Sequence, residues 1–171
     1  MKTPTLHLHT AALAVLLVCS KTVSASNDLP YTPPADDAVA VTGWVHVEDL
    51  SFDATTVELE VNGEVQRVPL SNMGRFDLVL PADAHVVLRF EHPGHLPKEV
   101  LVDTHHARAG TFREQTRHVR FAVIMELKQN MAGFTYLGPV GNIGFDKDGG
   151  CVAVDHTRKL TVGRKNQPMV F

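Results

Sequence analysis

Histidine is the side chain here with the most chemistry to offer: ten occur in 171 residues, eight of them outside the first 25. Imidazole changes charge between pH 5 and 8 and is the commonest transition-metal ligand. Two groups stand close in the sequence. His92 and His95 flank Pro93-Gly94, and His105-His106 follow Asp103. A Zn²⁺ or Cu²⁺ site needs three or four N, O or S donors converging at about 2.0–2.3 Å. H-x-x-H in a loop supplies two donors with no fixed relation. H-E-x-x-H on a helix puts both on one face, which makes it the far more specific pattern. His92, His95, His105 and His106 are therefore the candidate metal ligands. In a two-sheet fold, however, the loops after Phe90 and after Asp103 fall at opposite ends, and solvated loop histidines are the expectation.

Other constellations are plainer. Asp146-Lys147-Asp148-Gly149 lacks the third acidic position and the distant bidentate glutamate of a calcium loop, and reads as a β-turn. Cys151 opens an apolar, strand-like run, so a buried inert thiol is expected, with a disulfide between two chains as the alternative. There is no G-x-S-x-G nucleophile turn, and Glu58 and Glu60 belong to the wet face of a strand. No catalytic residue and no cofactor are expected; the chain does not read as an enzyme.

The elements that must position these residues are strands. Val41, Val45 and Val47 share one face of a first strand at Val39–Val47, with Trp44 on the other. Val57, Leu59 and Val61 alternate with Glu58 and Glu60, and Asn62-Gly63 supplies the positive φ angles of a type I′ turn before Val65 and Val68 resume. Pro69 ends that return strand, because proline has no ladder donor. Phe76, Leu78 and Leu80 form the next strand, and Val86, Leu88 and Phe90 the one after, joined by Pro81-Ala82-Asp83. Phe76 and Phe90, the bulkiest apolar residues here, are expected near the core centre. Glu99–Asp103 is short and extended. Thr104–Thr116 has no helical periodicity and reads as a long loop. Arg117–Lys128 is the last strong strand, with Ala122 and Ile124 implying that its second face is partly covered. Beyond it, Gly138, Pro139, Gly141 and Gly144 interrupt the pattern, and a hairpin or wrapping segment with a basic end (Arg158, Lys159, Arg164, Lys165) is expected.

Residues 1–25 carry Lys2, the apolar run Ala11–Val18 and Val23-Ser24-Ala25 as a cleavage site, the pattern of a secretory signal peptide. The run is too short to span a bilayer, which takes about 20 residues. A lipoprotein signal using Cys19 is the less favoured variant, since Val18 stands where a small residue is wanted. Without those 25 residues the chain has 14 basic and 19 acidic side chains, a net charge of −5. That disfavours nucleic acid and anionic membrane surfaces as partners. Asn27–Asp37 is a proline-rich extended linker. Cys151 is the single cysteine after the leader, so no internal disulfide is expected.

With those residues in hand a resemblance can be drawn. Val41-Thr42-Gly43-Trp44-Val45, the Asn-Gly hairpin, Met73–Pro81 (M-G-R-F-D-L-V-L-P) and Phe90–Val100 (F-E-H-P-G-H-L-P-K-E-V) resemble the carboxypeptidase regulatory-like domain, a prealbumin-like (transthyretin-like) sandwich. Its members carry a G-K-F-type strand start and a K-P-G-Y-type loop at this spacing. Here His95 stands where an aromatic is usual. The resemblance covers about residues 39–103 and extends along the last strand to Lys128. The segment Pro139–Asp146 is similar to an extension found on some secreted bacterial proteins with this sandwich. The family's companion zinc peptidase domain has no room in this sequence, so the resemblance implies an accessory, non-catalytic role and transfers no active site.

The expectation is therefore an all-β, seven-stranded antiparallel prealbumin-like (Ig-like) sandwich at 39–128. A leader at 1–25 and a linker at 26–38 precede it, and a C-terminal extension at 129–171 packs on it. The expected function is that of an exported, periplasmic or extracellular interaction module, monomeric or weakly oligomeric. It would bind a protein or cell-envelope component, with His92, Gly94, His95 and Leu96 as the candidate contact loop. A periplasmic zinc- or copper-binding protein using the loop histidines is the alternative.

Overall fold

Valine alternating with small or polar residues gives β1 (Ala38–His46), whose inward side chains Val39, Val41 and Val45 are fully buried. In the computed structural model, residues 38–48, 51–113, 115–150 and 152–163 are described. The expected leader, Cys19, the linker up to residue 37, Cys151, Arg164 and Lys165 lie outside them. After β1 come β2 (Thr56–Val61), β3 (Glu64–Val68), β4 (Arg75–Pro81), β5 (His85–Glu91), β6 (Lys98–Asp103) and β7 (Arg117–Ile124). Four shorter strands follow: β8 (Phe134–Tyr136), β9 (Gly141–Phe145), β10 (Val152–His156) and β11 (Leu160–Val162). No α-helix occurs among the described residues, and none of their helical turns could cross a membrane.

The strands form a three-stranded sheet, β4-β1-β7, a six-stranded sheet, β10-β9-β6-β5-β2-β3, and a two-stranded sheet, β11-β8. The two larger sheets share one hydrophobic core as a β-sandwich. Phe76 of the first sheet meets Phe90 of the second at 5.7 Å between ring centroids, and both are essentially inaccessible to solvent. Phe76 lies opposite Gly43 in the β1–β4 register, and its ring covers that glycine: a Cβ there would come within 2.0 Å of Phe76 Cζ. The Asn62-Gly63 turn takes φ angles of 54° and 83°, as a type I′ hairpin requires.

Four features differ from the sequence expectation. The sheets are not purely antiparallel: β7 runs parallel to β1 and β9 parallel to β6. Side-chain alternation reports which face a residue takes, and says nothing of which distant strand lies alongside. The last strong strand ends at Ile124 instead of Lys128. There the backbone leaves β1 for the 92–97 loop, with Leu96 N–H donating to Glu126 O (2.8 Å) and Lys128 N–H to Gly94 O (2.9 Å). The outer face of β7 is also uncovered, with Ile124 63% exposed. Finally, the glycine-rich stretch expected to be broken is itself strand β9, whose Ile143 and Phe145 enter the core.

Candidate functional site

The loop proposed from sequence as a contact surface is a packed corner. Gly94, at φ +75°, lets the chain turn so that His95 N–H donates to His92 O (3.1 Å). His92 is 8% exposed and sits with Nδ1 2.8 Å from Thr55 Oγ1; His95 is 4% exposed. Nδ1–H of His95 donates to Pro93 O at 3.0 Å, and the two imidazoles meet edge to face with centroids 4.7 Å apart. Leu96 is buried as well. The expectation of solvated histidines is thus overturned for His92 and His95, and of the four contact candidates Gly94 alone is exposed. Thr55 and a backbone carbonyl give both rings polar partners, so burying them carries less of the penalty an unpaired polar group suffers. These rings also flank a cleft of about 360 Å³ lined by Glu91, Pro93, Pro97 and Lys128.

The second histidine group sits at the other end of β6. His85 opens β5 and Asp103 closes β6, and the two are register partners across the antiparallel ladder. Asp103 Oδ1 accepts from the His105 backbone N–H (2.9 Å) and from the His105 ring Nδ1–H (2.6 Å). Its Oδ2 lies 3.6 Å from His85 Nδ1, and the His85 and His105 rings are 4.7 Å apart. Between them Thr104, fully buried, ties the two turns together. Its hydroxyl accepts from Ala84 N–H (2.8 Å) and donates to Pro81 O (2.8 Å), while its own N–H donates to Ala84 O (2.9 Å). Burial works to raise the Asp103 pKa. The His105 N–H and ring, with the charge of His85, outweigh it and hold the carboxyl below the usual carboxylate range. His106 is exposed, at φ +63°, and stands outside this group. The four sequence candidates therefore do not converge. His105 instead joins His85 and Asp103.

A third feature is the flank between the sheets. Phe121, Ile124, Val140, Ile143 and Val154 line a groove of about 140 Å³ whose rim carries Arg158. β7 is the edge of its sheet, so one side of its ladder has no neighbouring strand among the described residues. Of the ten exposed large apolar side chains among the described residues, seven lie between Ile124 and Val162, which concentrates the wet apolar surface on this flank and on the strands after it. Phe134 and Val162 form a cross-strand pair in the two-stranded β8–β11 sheet. Beneath the flank, Lys98 is buried and ion-paired with Glu126, and its ammonium lies 5.3 Å from the centre of the Tyr136 ring. Sequence reading missed this ion pair, because Lys98 stands beside Pro97 in what looks like a solvated loop.

Asp146 O accepts from Gly149 N–H (2.8 Å), an ordinary β-turn in the segment weighed as a calcium loop. Trp44, on the outer face of β1, is half-buried between register partners Arg75 and Ala122.

No family model matches the sequence, and no match is found among curated proteins. Among solved structures, part of the chain is similar to a chain of a type II cohesin–X-dockerin complex from Acetivibrio cellulolyticus, a C-terminal interface mutant. The identity is 11% and the TM-score 0.32, over 51% of this chain and 56% of that one. The overlap thus spans about half the length of each.

Proposed function

We propose that this chain is an exported, non-catalytic interaction module, a sandwich of the carboxypeptidase regulatory-like type, which takes up an extended segment of a protein partner along β7. Strands β1 to β7 occupy the stretch carrying the V-T-G-W-V, G-R-F and H-P-G-H motifs. The observation that carries the reading is the open edge of β7 beside an apolar groove, with Ile124 and Val154 exposed at its mouth. An edge strand offers unpaired N–H and C=O groups, and a peptide laid against it gains main-chain hydrogen bonds while alternate side chains enter adjacent pockets. The buried loop at His92–Leu96 supplies no such surface, so the contact belongs on the flank. The leader pattern in the sequence supports export, and the resemblance to the carboxypeptidase regulatory-like domain supports the accessory role.

The test is photo-crosslinking from a reactive residue placed at Ala122, in cells that make the protein. One protein adduct, lost in an Ile124→Asp/Val154→Asp variant that keeps its β-sheet circular dichroism, is the expected result. Adducts only to a second copy of the chain, or a protein adduct unchanged by the double substitution, would refute the assignment.

A further inference from the structure

We propose that His85, Asp103 and His105 bind one borderline divalent transition-metal ion of the Zn²⁺/Cu²⁺ class, a site independent of the partner flank. Each residue offers one ligand atom, and the three atoms lie within 4.8 Å of one another. Tetrahedral ligands at zinc bond lengths stand roughly 3.5 Å apart. The group therefore needs to contract by about an ångström, which its accessible side chains permit by rotation; the His85 side chain is 77% exposed.

What makes this more than three neighbouring polar residues is how the backbone holds them. The β5–β6 ladder sets His85 opposite Asp103. The Asp103 carboxylate fixes the start of the next turn through the His105 N–H. The buried Thr104 hydroxyl pins that turn to the 81–84 turn from which His85 emerges. The donors are thus pre-positioned by the ladder and by the buried Thr104 hydroxyl. The donor set selects the ion. Two imidazoles and one carboxylate suit zinc, copper and nickel, whereas calcium and magnesium call for oxygen ligands throughout. Three protein donors leave a fourth position for water or for a donor from outside. On binding, His105 exchanges its hydrogen bond with Asp103 Oδ1 for the metal. That exchange, with the exposure of the donors, makes the site weaker than a buried four-ligand structural zinc site.

Calorimetric titration of the tag-free chain with zinc chloride tests this. The expected result is one equivalent bound with a micromolar Kd, and a loss of roughly 10–100-fold in affinity for His85→Ala and for His105→Ala, at least the size seen when ligand support is removed. His106→Asn keeps a residue that tolerates the left-handed backbone at 106, and should titrate like the parent. Should His105→Ala perturb the turn, His85→Ala, with its exposed side chain, carries the test, with circular dichroism confirming the fold. No heat up to 100-fold above micromolar zinc would overturn the site. So would binding that survives in His85→Ala/His105→Ala, whether through the cysteines or the buried His92–His95 pair.

Discussion

Replacing Thr104 with valine keeps the shape of a fully buried side chain and deletes only its hydroxyl. That hydroxyl accepts from the Ala84 N–H and donates to Pro81 O, each at 2.8 Å. Ala84 is itself buried, so its N–H is left without a partner and without access to water. An orphaned buried donor costs about 1–3 kcal/mol, and we expect about 2 kcal/mol for Thr104→Val. Urea unfolding followed by Trp44 fluorescence reads this directly. With a slope of about 2 kcal/mol/M, usual for a domain of this size, the midpoint should fall by about 1 M with the slope unchanged. Thr104→Ser retains the hydroxyl and gives up one methyl group, which costs about 1 kcal/mol. The expected order is therefore parent, serine, valine. A valine variant within about 0.5 kcal/mol of the parent would refute the clamp. A serine variant less stable than the valine one would show that Thr104 acts by filling space.

Phe76→Ala should cost about 3–5 kcal/mol, since the ring is buried against both Phe90 and Phe121; an unchanged melting temperature would displace it from the core. Tyr136 gives a pH prediction. Burial, then the hydrogen bond and charge of Glu126, push its hydroxyl from 10.0 up to about 12. The folded value lies above the unfolded one, so the stability contributed by the neutral phenol is complete below pH 10 and is lost as pH rises through 12. Tyr136→Phe should lack that decline in stability between pH 10 and 12, and a variant that declines in parallel with the parent would contradict the assignment.

The strands were legible in the sequence wherever one face is buried and the other wet. Val57, Leu59 and Val61 announce β2 because burying every second residue is what a half-covered strand does. Asn62-Gly63 announces the hairpin because few other pairs accept two positive φ angles. The all-β character and the central place of Phe76 and Phe90 follow from the same alternation. Neighbour relations were not legible. Nothing in Val39–Val47 says that it lies between β4 and β7, or that it runs parallel to one of them. The glycines of β9 masked a strand that pairs with β10 across a local turn and, in parallel, with the distant β6. The candidate site was half legible for the same reason. His105 was recognised, but its partner His85 is brought to Asp103 by ladder register, which no spacing between positions 85 and 105 encodes. His92 and His95 were misplaced because the group that makes burial of His92 tolerable, the Thr55 hydroxyl, stands 37 residues away in the sequence.

The central functional claim is that β7 presents an open edge. Amide hydrogen exchange resolved by residue measures it most directly. β1 is paired on both sides, so the amides of Val41–Val45 should all be protected up to global unfolding. Along β7, only the amides facing β1 should match them, and alternate amides between Val119 and Ala122 should exchange far faster in the free chain. Uniform protection along β7, equal to that of β1, would mean that this edge is already covered and would contradict the account.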